Sequence, residues 1–180
     1  MASAWDLMTA TGMIEGTDKE LADYIHNGLV DLILHEVGHT LGLRHNFKAS
    51  SIYTPEQLKN GSFTKENGVT GSVMDYNPIN LSPDEGADGN YFQTQLGPYD
   101  YWAIEYGYTL GDPNEVLSRS NLPEHAYLTD EDTGGPDPLA KRYDFSKDPL
   151  TYAENQMRIV NKLREDLLGQ FVEEGDSWSK

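Results

Sequence analysis

Histidine is scarce in this chain of 180 residues: there are five, and three of them fall within one short stretch. Leu32 to Asn46 reads LILHEVGHTLGLRHN, with His35, His39 and His45 at offsets of four and then six, and Glu36 directly after the first. Successive helical residues step by about 100°, so residues four apart lie about 40° from each other on one face. Two imidazoles so placed converge on a common point, which suits a tetrahedral zinc at about 2.0–2.1 Å per nitrogen. Glu36 is one step further round, within reach of a water at the metal without being a ligand. Gly42 allows the helix to stop and turn through a backbone with φ > 0, which a Cβ resists, so that His45 can swing back as the third ligand. Three neutral histidines leave the fourth position to water, the arrangement of a catalytic rather than a structural zinc. In that setting Glu36 is the general base that takes a proton from water and later delivers it to a leaving amine. A pair of solvated histidines on an amphipathic helix would account for two residues four apart, but not for the eleven-residue pattern with its glycine.

A second stretch, GSVMDYN from Gly71 to Asn77, places Met74 among the turn formers Asp75, Asn77 and Pro78, with Tyr76 two residues beyond. A methionine in a tight turn downstream of such a histidine motif packs its thioether beneath the ligands as an apolar floor.

Together these motifs resemble those of the metzincin clan of zinc metallopeptidases. SVMDY is similar to the Met-turn of the astacin-like and serralysin-like members, in which a tyrosine two residues after the methionine reaches the zinc. The resemblance implies that His35, His39 and His45 are ligands, Glu36 the base and acid, and Met74 the floor. Tyr76 would be an additional ligand or a stabiliser of the tetrahedral oxyanion. HEVGHTLGLRHNFKASS, SVMDYNPIN, YFQTQLGPYDYWAIEYGY and DPLAKRYDFSKDP extend the similarity over most of residues 30–155. They resemble the C-terminal half of the catalytic region of large bacterial metzincin-like proteases. Implied with it are a peptide or protein substrate and a secreted, periplasmic or cell-surface location. In such α+β catalytic domains an N-terminal twisted sheet binds the peptide along its edge strand. About 17 residues precede the zinc helix here, too few for several strands of about 5–6 residues. The expected fold is therefore mainly α with long irregular loops, the C-terminal part of a metzincin-like catalytic domain without its sheet subdomain, and with impaired activity alone. Met1-Ala2-Ser3, followed at once by ordinary sequence, likewise reads as a start set inside a longer protein.

The elements that must position these residues are legible from spacing and caps. Thr17 and Glu20 have capping-box spacing, and Leu21, Ile25, Leu29, Leu32, Ile33, Val37 and Leu41 recur at helical intervals, so a helix is predicted from Asp18 to Leu41. Residues 43–96 read as irregular, with one short helix at TPEQLKN and a weak strand candidate at Val73. A helix opens at Pro98 and closes at Gly107, and Asp112-Pro113 starts another short one. Tyr127 marks a second weak strand candidate. Asp148-Pro149 begins a long helix to about Leu168 with Ala153, Met157, Val160, Leu163, Leu167 and Phe171 along one side. The division expected is a zinc-site half over 1–128, an acidic connector over 129–148, and a C-terminal helix over 149–180.

The remaining residues have plainer readings. A formal net charge of −17 argues against a nucleic-acid groove or an anionic membrane surface. With no cysteine there is neither a disulfide nor a thiol nucleophile, and no apolar run is long enough for membrane insertion. His26 falls on roughly the opposite face from the ligands, and His125 stands alone; both read as ordinary histidines. Tyr99, Tyr101, Trp102, Tyr106 and Tyr108 suggest a carbohydrate or peptide platform, but the spacing of Trp102, Ile104, Glu105 and Tyr106 favours a packing helix behind the site. Asp130, Glu131, Asp132 and Asp137 offer oxygens for Ca2+ but lack the spacing of a calcium loop, which favours a solvated acidic segment. Apolar residues of the zinc helix are expected to be exposed or paired with a second copy in a dimer. The rival to a zinc endopeptidase is a catalytically silent zinc-stabilised scaffold or interaction module, which has no need of Glu36.

Overall fold

The computed structural model describes Trp5, Met8, Thr9, Gly12 and residues 14–171; the reading of Met1 to Ser3 lies outside them. The helix that carries the histidine motif, α1, spans Asp18–Thr40. Its start is the predicted capping box: the Glu20 N–H donates to Thr17 Oγ1 at 3.3 Å, and the Thr17 N–H to Glu20 Oε2 at 2.9 Å. It ends one residue earlier than the spacing predicts, with Leu41 as the cap. Gly42 takes φ +88. The N–H groups of Gly42 and Leu43 close back onto the carbonyls of His39 and Gly38, both at 3.0 Å. This pair of bonds is the Schellman ending, and it reverses the chain towards His45.

The segment after His45 is less irregular than its composition suggests. A 3-10 turn at Ala49–Ile52 leads to α2, Pro55–Leu58, and α3, Gly61–Asn67. The sequence reading anticipates α2 and misses α3. Asn60 caps α3 by accepting the Phe63 N–H at 2.8 Å, and Gly68 at φ +76 ends it. Asn, Gly and Ser next to each other read as loop, yet the same residues are helix punctuation when they bracket one turn. α2 and α3 pack together over a small core of Tyr53, Leu58, Val69 and Phe145, edged by Ile52, Phe63 and Tyr152.

The helix α4, Pro98–Tyr108, packs on α5, Pro113–Leu117, and on the turn Pro123–His125. It does lie behind the candidate site, but through Tyr99 and Asp100, which are its buried residues. Of the set singled out by spacing, Trp102 donates its Nε1–H to the Val116 carbonyl at 2.9 Å, whereas Glu105 and Tyr106 are exposed. The last helix, α6, runs Pro149–Phe171 and is capped by Asp148, whose Oδ1 accepts the N–H groups of Leu150 and Thr151. Its predicted apolar side is not the side that packs: Met157 and Val160 are exposed, while Tyr152 leans on Phe145 and Ile159 is buried. The side chains of Leu163, Leu167 and Phe171 lie outside the described residues. Among the described side chains, two inward residues seven apart seat this helix, and Ala153, Met157 and Val160 stay open.

No strand occurs among the described residues, so the candidates at Val73 and Tyr127 are corrected. At Val73 both backbone groups bind side chains instead of a ladder: the N–H donates to Asp100 and the carbonyl accepts from His35. Beside Tyr127, the Leu128 carbonyl takes the Phe47 N–H at 2.7 Å and the Leu128 N–H turns to the Asn46 side chain. As expected, α1 exposes Ile25, Leu29, Leu32, Ile33, Val37 and Leu41. No described helix is long and apolar enough to cross a membrane.

Candidate metal centre

α1 brings His35 and His39 together, and the turn at Gly42 returns His45 to them. One ligand nitrogen of each lies within 4.8 Å of the others. Ring centroids are 4.7 Å apart for His35 and His39, 5.4 Å for His35 and His45, and 4.9 Å for His39 and His45. Every Nδ1 has a partner that accepts a proton. His35 Nδ1 donates to the Val73 carbonyl at 2.8 Å, His39 Nδ1 to the Leu43 carbonyl at 3.0 Å, and His45 Nδ1 to the two oxygens of Asp130 at 3.1 and 3.0 Å. With Nδ1 protonated, each ring turns a bare Nε2 lone pair to the centre. His45 Nε2 is buried and has no hydrogen-bond partner among the described residues. A buried nitrogen left in this way is unfavourable unless something accepts its lone pair, and a metal ion does so. Three neutral imidazoles fit zinc.

Electrostatics favour the neutral form of His35. Burial pushes His35 below the usual histidine value; the Val73 hydrogen bond opposes this, and His39 and His45 add to it. Asp130 works from outside. Although desolvation acts against it, the hydrogen bond from His45, together with Arg142, holds its carboxyl below the ordinary range. Arg142 reaches Asp130 Oδ1 at 3.2 Å and lies over the Phe47 ring at 4.8 Å, so Asp130 is tethered on both sides.

The Met74 turn lies under the histidines. Met74 is fully buried, and a Cβ added to Gly38 would collide with its sulfur, so the glycine between the two helical histidines is what admits the methionine floor. Glycine in a helix interior costs about 1 kcal/mol against alanine, and one retained there marks close packing. That was the available signal, and the sequence reading passed over it. Asp100, near the start of α4, holds the turn from below. Its carboxylate accepts the Ser72 hydroxyl at 2.5 Å, the Val73 N–H at 2.9 Å and the Gly97 N–H at 2.8 Å. The segment that carries His45 is tied in by Asn46, fully buried, whose N–H donates to the Met74 carbonyl at 3.0 Å and whose side chain donates to the Ala126 carbonyl.

Gly38→Ala should therefore lower the stability of the zinc-loaded protein by about 1–3 kcal/mol, the usual range for overpacking, despite alanine's better helix propensity. Thermal unfolding beside the exposed-site control Val37→Ala is the measurement; a Gly38→Ala midpoint at or above that of the unmodified protein would contradict the floor contact. Asp130→Ala should leave zinc binding in place but weaken it by about 10–100-fold, because His45 loses the acceptor that orients it. A competition titration against a metal-binding dye reads this directly, and unchanged affinity would show that Asp130 does not orient the ligand.

Tyr76 and Glu36 face the same centre. The Tyr76 ring is 4.5 Å from that of His45 and 5.4 Å from that of His35. Glu36 is exposed beside His35 and makes no hydrogen bond or ion pair among the described residues. The acidic segment has other work than calcium. Asp130 holds His45, Glu131 pairs with Arg44 at 2.8 Å, Asp132 accepts the Thr129 N–H at 2.8 Å, and Asp137 pairs with Lys48 at 2.6 Å. No calcium site is supported there. His125 is a packing residue: its Nδ1 meets the Arg119 carbonyl at 2.8 Å and its ring stacks on Trp102. His26 is exposed on α1. A groove of about 910 Å3 between Tyr53, Tyr101 and Tyr127 contains none of the three clustered histidines. A smaller cleft of about 420 Å3 includes His35, Glu36 and Tyr76.

The sequence model of a family described as Met-zincin matches residues 17–180 of the chain. No curated protein and no solved structure matches it.

Proposed function

The chain belongs to the Met-zincin family, and from that premise we propose that it is a zinc-dependent endopeptidase in which Glu36 activates the attacking water. The observation that supports this most is the common orientation of the three imidazoles: each Nδ1 is held by an acceptor, which turns all three Nε2 atoms to one point. Bound zinc supplies the Lewis acid that makes water a nucleophile near neutral pH and polarises the scissile carbonyl. His35, His39 and His45 hold it; the Val73 and Leu43 carbonyls and Asp130 keep those rings in the right tautomer. Glu36 takes the proton of the attacking water on its carboxylate and passes it to the leaving amine nitrogen. The Tyr76 hydroxyl donates to the oxygen that gains negative charge when the carbonyl carbon becomes tetrahedral. Met74 and Gly38 set the depth of the floor.

The silent-scaffold reading is less well supported, because a scaffold gains nothing from an acid left unpaired in the cleft beside the ligands. The deciding experiment is metal analysis together with cleavage of casein and a peptide library. The expected result is about one zinc per chain and hydrolysis that a chelator abolishes and added zinc restores. One zinc with no hydrolysis in any preparation would favour the scaffold, and a stoichiometry near zero in folded protein would overturn both readings.

A further inference from the structure

The cleft that opens from the candidate centre runs back along α1, and its far part has no role in the reaction described so far. Its walls are α1 from Gly28 to Glu36 on one side and residues 75–79 on the other, with Phe92 and Tyr143 also lining it. The carboxyl groups among them are Asp31, Glu36 and Asp75, with neither lysine nor arginine to pair with them. Asp75 is engaged by the N–H groups of Ser50 and Tyr76, at 2.9 and 2.8 Å, and Glu36 has its part in the chemistry. Asp31 is left.

Asp31 stands one helical turn before His35, about 6 Å back along the axis. The Gln93 N–H donates to its Oδ2 at 3.2 Å, while Oδ1 accepts nothing among the described residues and no cation among them pairs with it. Burial pushes its carboxyl up to about 6, the mark of a carboxylate short of compensating charge. The lining beside it is apolar. Phe92 lies against the helix at Gly28, where an added Cβ would meet its Cζ at 3.4 Å, an ordinary contact, and Leu32 and Ile79 complete the wall. An alkyl stem that ends in a cation matches this combination: the stem covers Phe92 and Ile79 while the charged tip meets Asp31. A carboxylate tip would meet only like charge, and an aliphatic one would leave Asp31 desolvated without a partner.

We propose that this cleft receives a lysine or arginine side chain of the peptide substrate beside the scissile bond, with Asp31 as the residue that selects it. The name substrate rests on the endopeptidase reading; the preference for a cation does not. The test is binding to zinc-loaded Glu36→Gln protein of three short peptides that differ only in one residue, arginine, leucine or glutamate, with Asp31 present and in the added Asp31→Asn change. Asparagine keeps an oxygen for the Gln93 N–H, and zinc content checks that the site survives. The arginine peptide should bind about ten-fold or more tightly than the other two, and Asp31→Asn should remove most of that preference while leaving the leucine peptide unaffected. Equal binding of all three, no binding of any, or an arginine preference that survives Asp31→Asn overturns the assignment. A preference for arginine in protein that, with Glu36 intact, cleaves none of the peptides would instead overturn the endopeptidase reading and leave the cation site standing.

Discussion

Glu36→Gln is expected to retain about one zinc per chain and to lower peptide hydrolysis by about 10²–10⁴, the range for removal of a general acid–base group. The side chain is exposed in the cleft and makes no hydrogen bond or ion pair among the described residues, so the nearly isosteric amide should cost the fold little. The ligands and their Nδ1 acceptors are untouched, because none of them involves Glu36. What is lost is the basic oxygen: an amide cannot take the proton of the attacking water. Metal analysis and steady-state kinetics on one peptide, side by side, separate the two effects. Loss of metal would make Glu36 part of the binding site, and full activity would place the base elsewhere.

Tyr76→Phe is the second change with a large expected effect, a fall in the rate constant of about 10²-fold with the Michaelis constant little changed. Its ring packs among His45 at 4.5 Å, Phe47 at 5.3 Å, His35 at 5.4 Å and Tyr143 at 6.2 Å. Phenylalanine keeps those contacts, so the hydroxyl alone is tested. A donor used only as the carbonyl carbon becomes tetrahedral changes turnover and not substrate affinity. If the rate constant held, Tyr76 would be a packing residue; if the Michaelis constant carried the loss, its hydroxyl would act on bound substrate instead.

Much of the centre was readable before any fold was known, and the reason is locality. Thr17 and Glu20 start α1, the periodic apolar residues continue it, and Gly42 ends it through bonds spanning a few residues. Because the helix fixes the direction of side chains four apart, His35 and His39 had to converge, and a left-handed glycine just beyond had to send His45 back. The same locality explains the starts at Pro55, Pro98, Pro113 and Pro149, each beside a residue that caps or precedes a helix. It also explains why α3 was missed: Asn60 and Gly61 serve a turn and a helix start equally well, and only the packing of Leu58, Phe63 and Val69 decides between them.

By itself, then, the sequence determined that His35, His39 and His45 come together with Glu36 beside them, and where the methionine turn falls, because these depend on backbone geometry within a few residues or on a motif carried whole. Tertiary structure decided how each of the three histidine rings is oriented. The acceptor for His39 is 4 residues away, but those for His35 and His45 are 38 and 85 residues away. It turned Asp130 from a calcium candidate into the partner of His45, made Gly38 the seat of Met74, and set Asp31 in a cleft without a cation. It also chose the side of α6 that packs. A hydrogen bond or a buried face needs two parts of the chain to meet, and spacing along one part carries no information about where the other will pass.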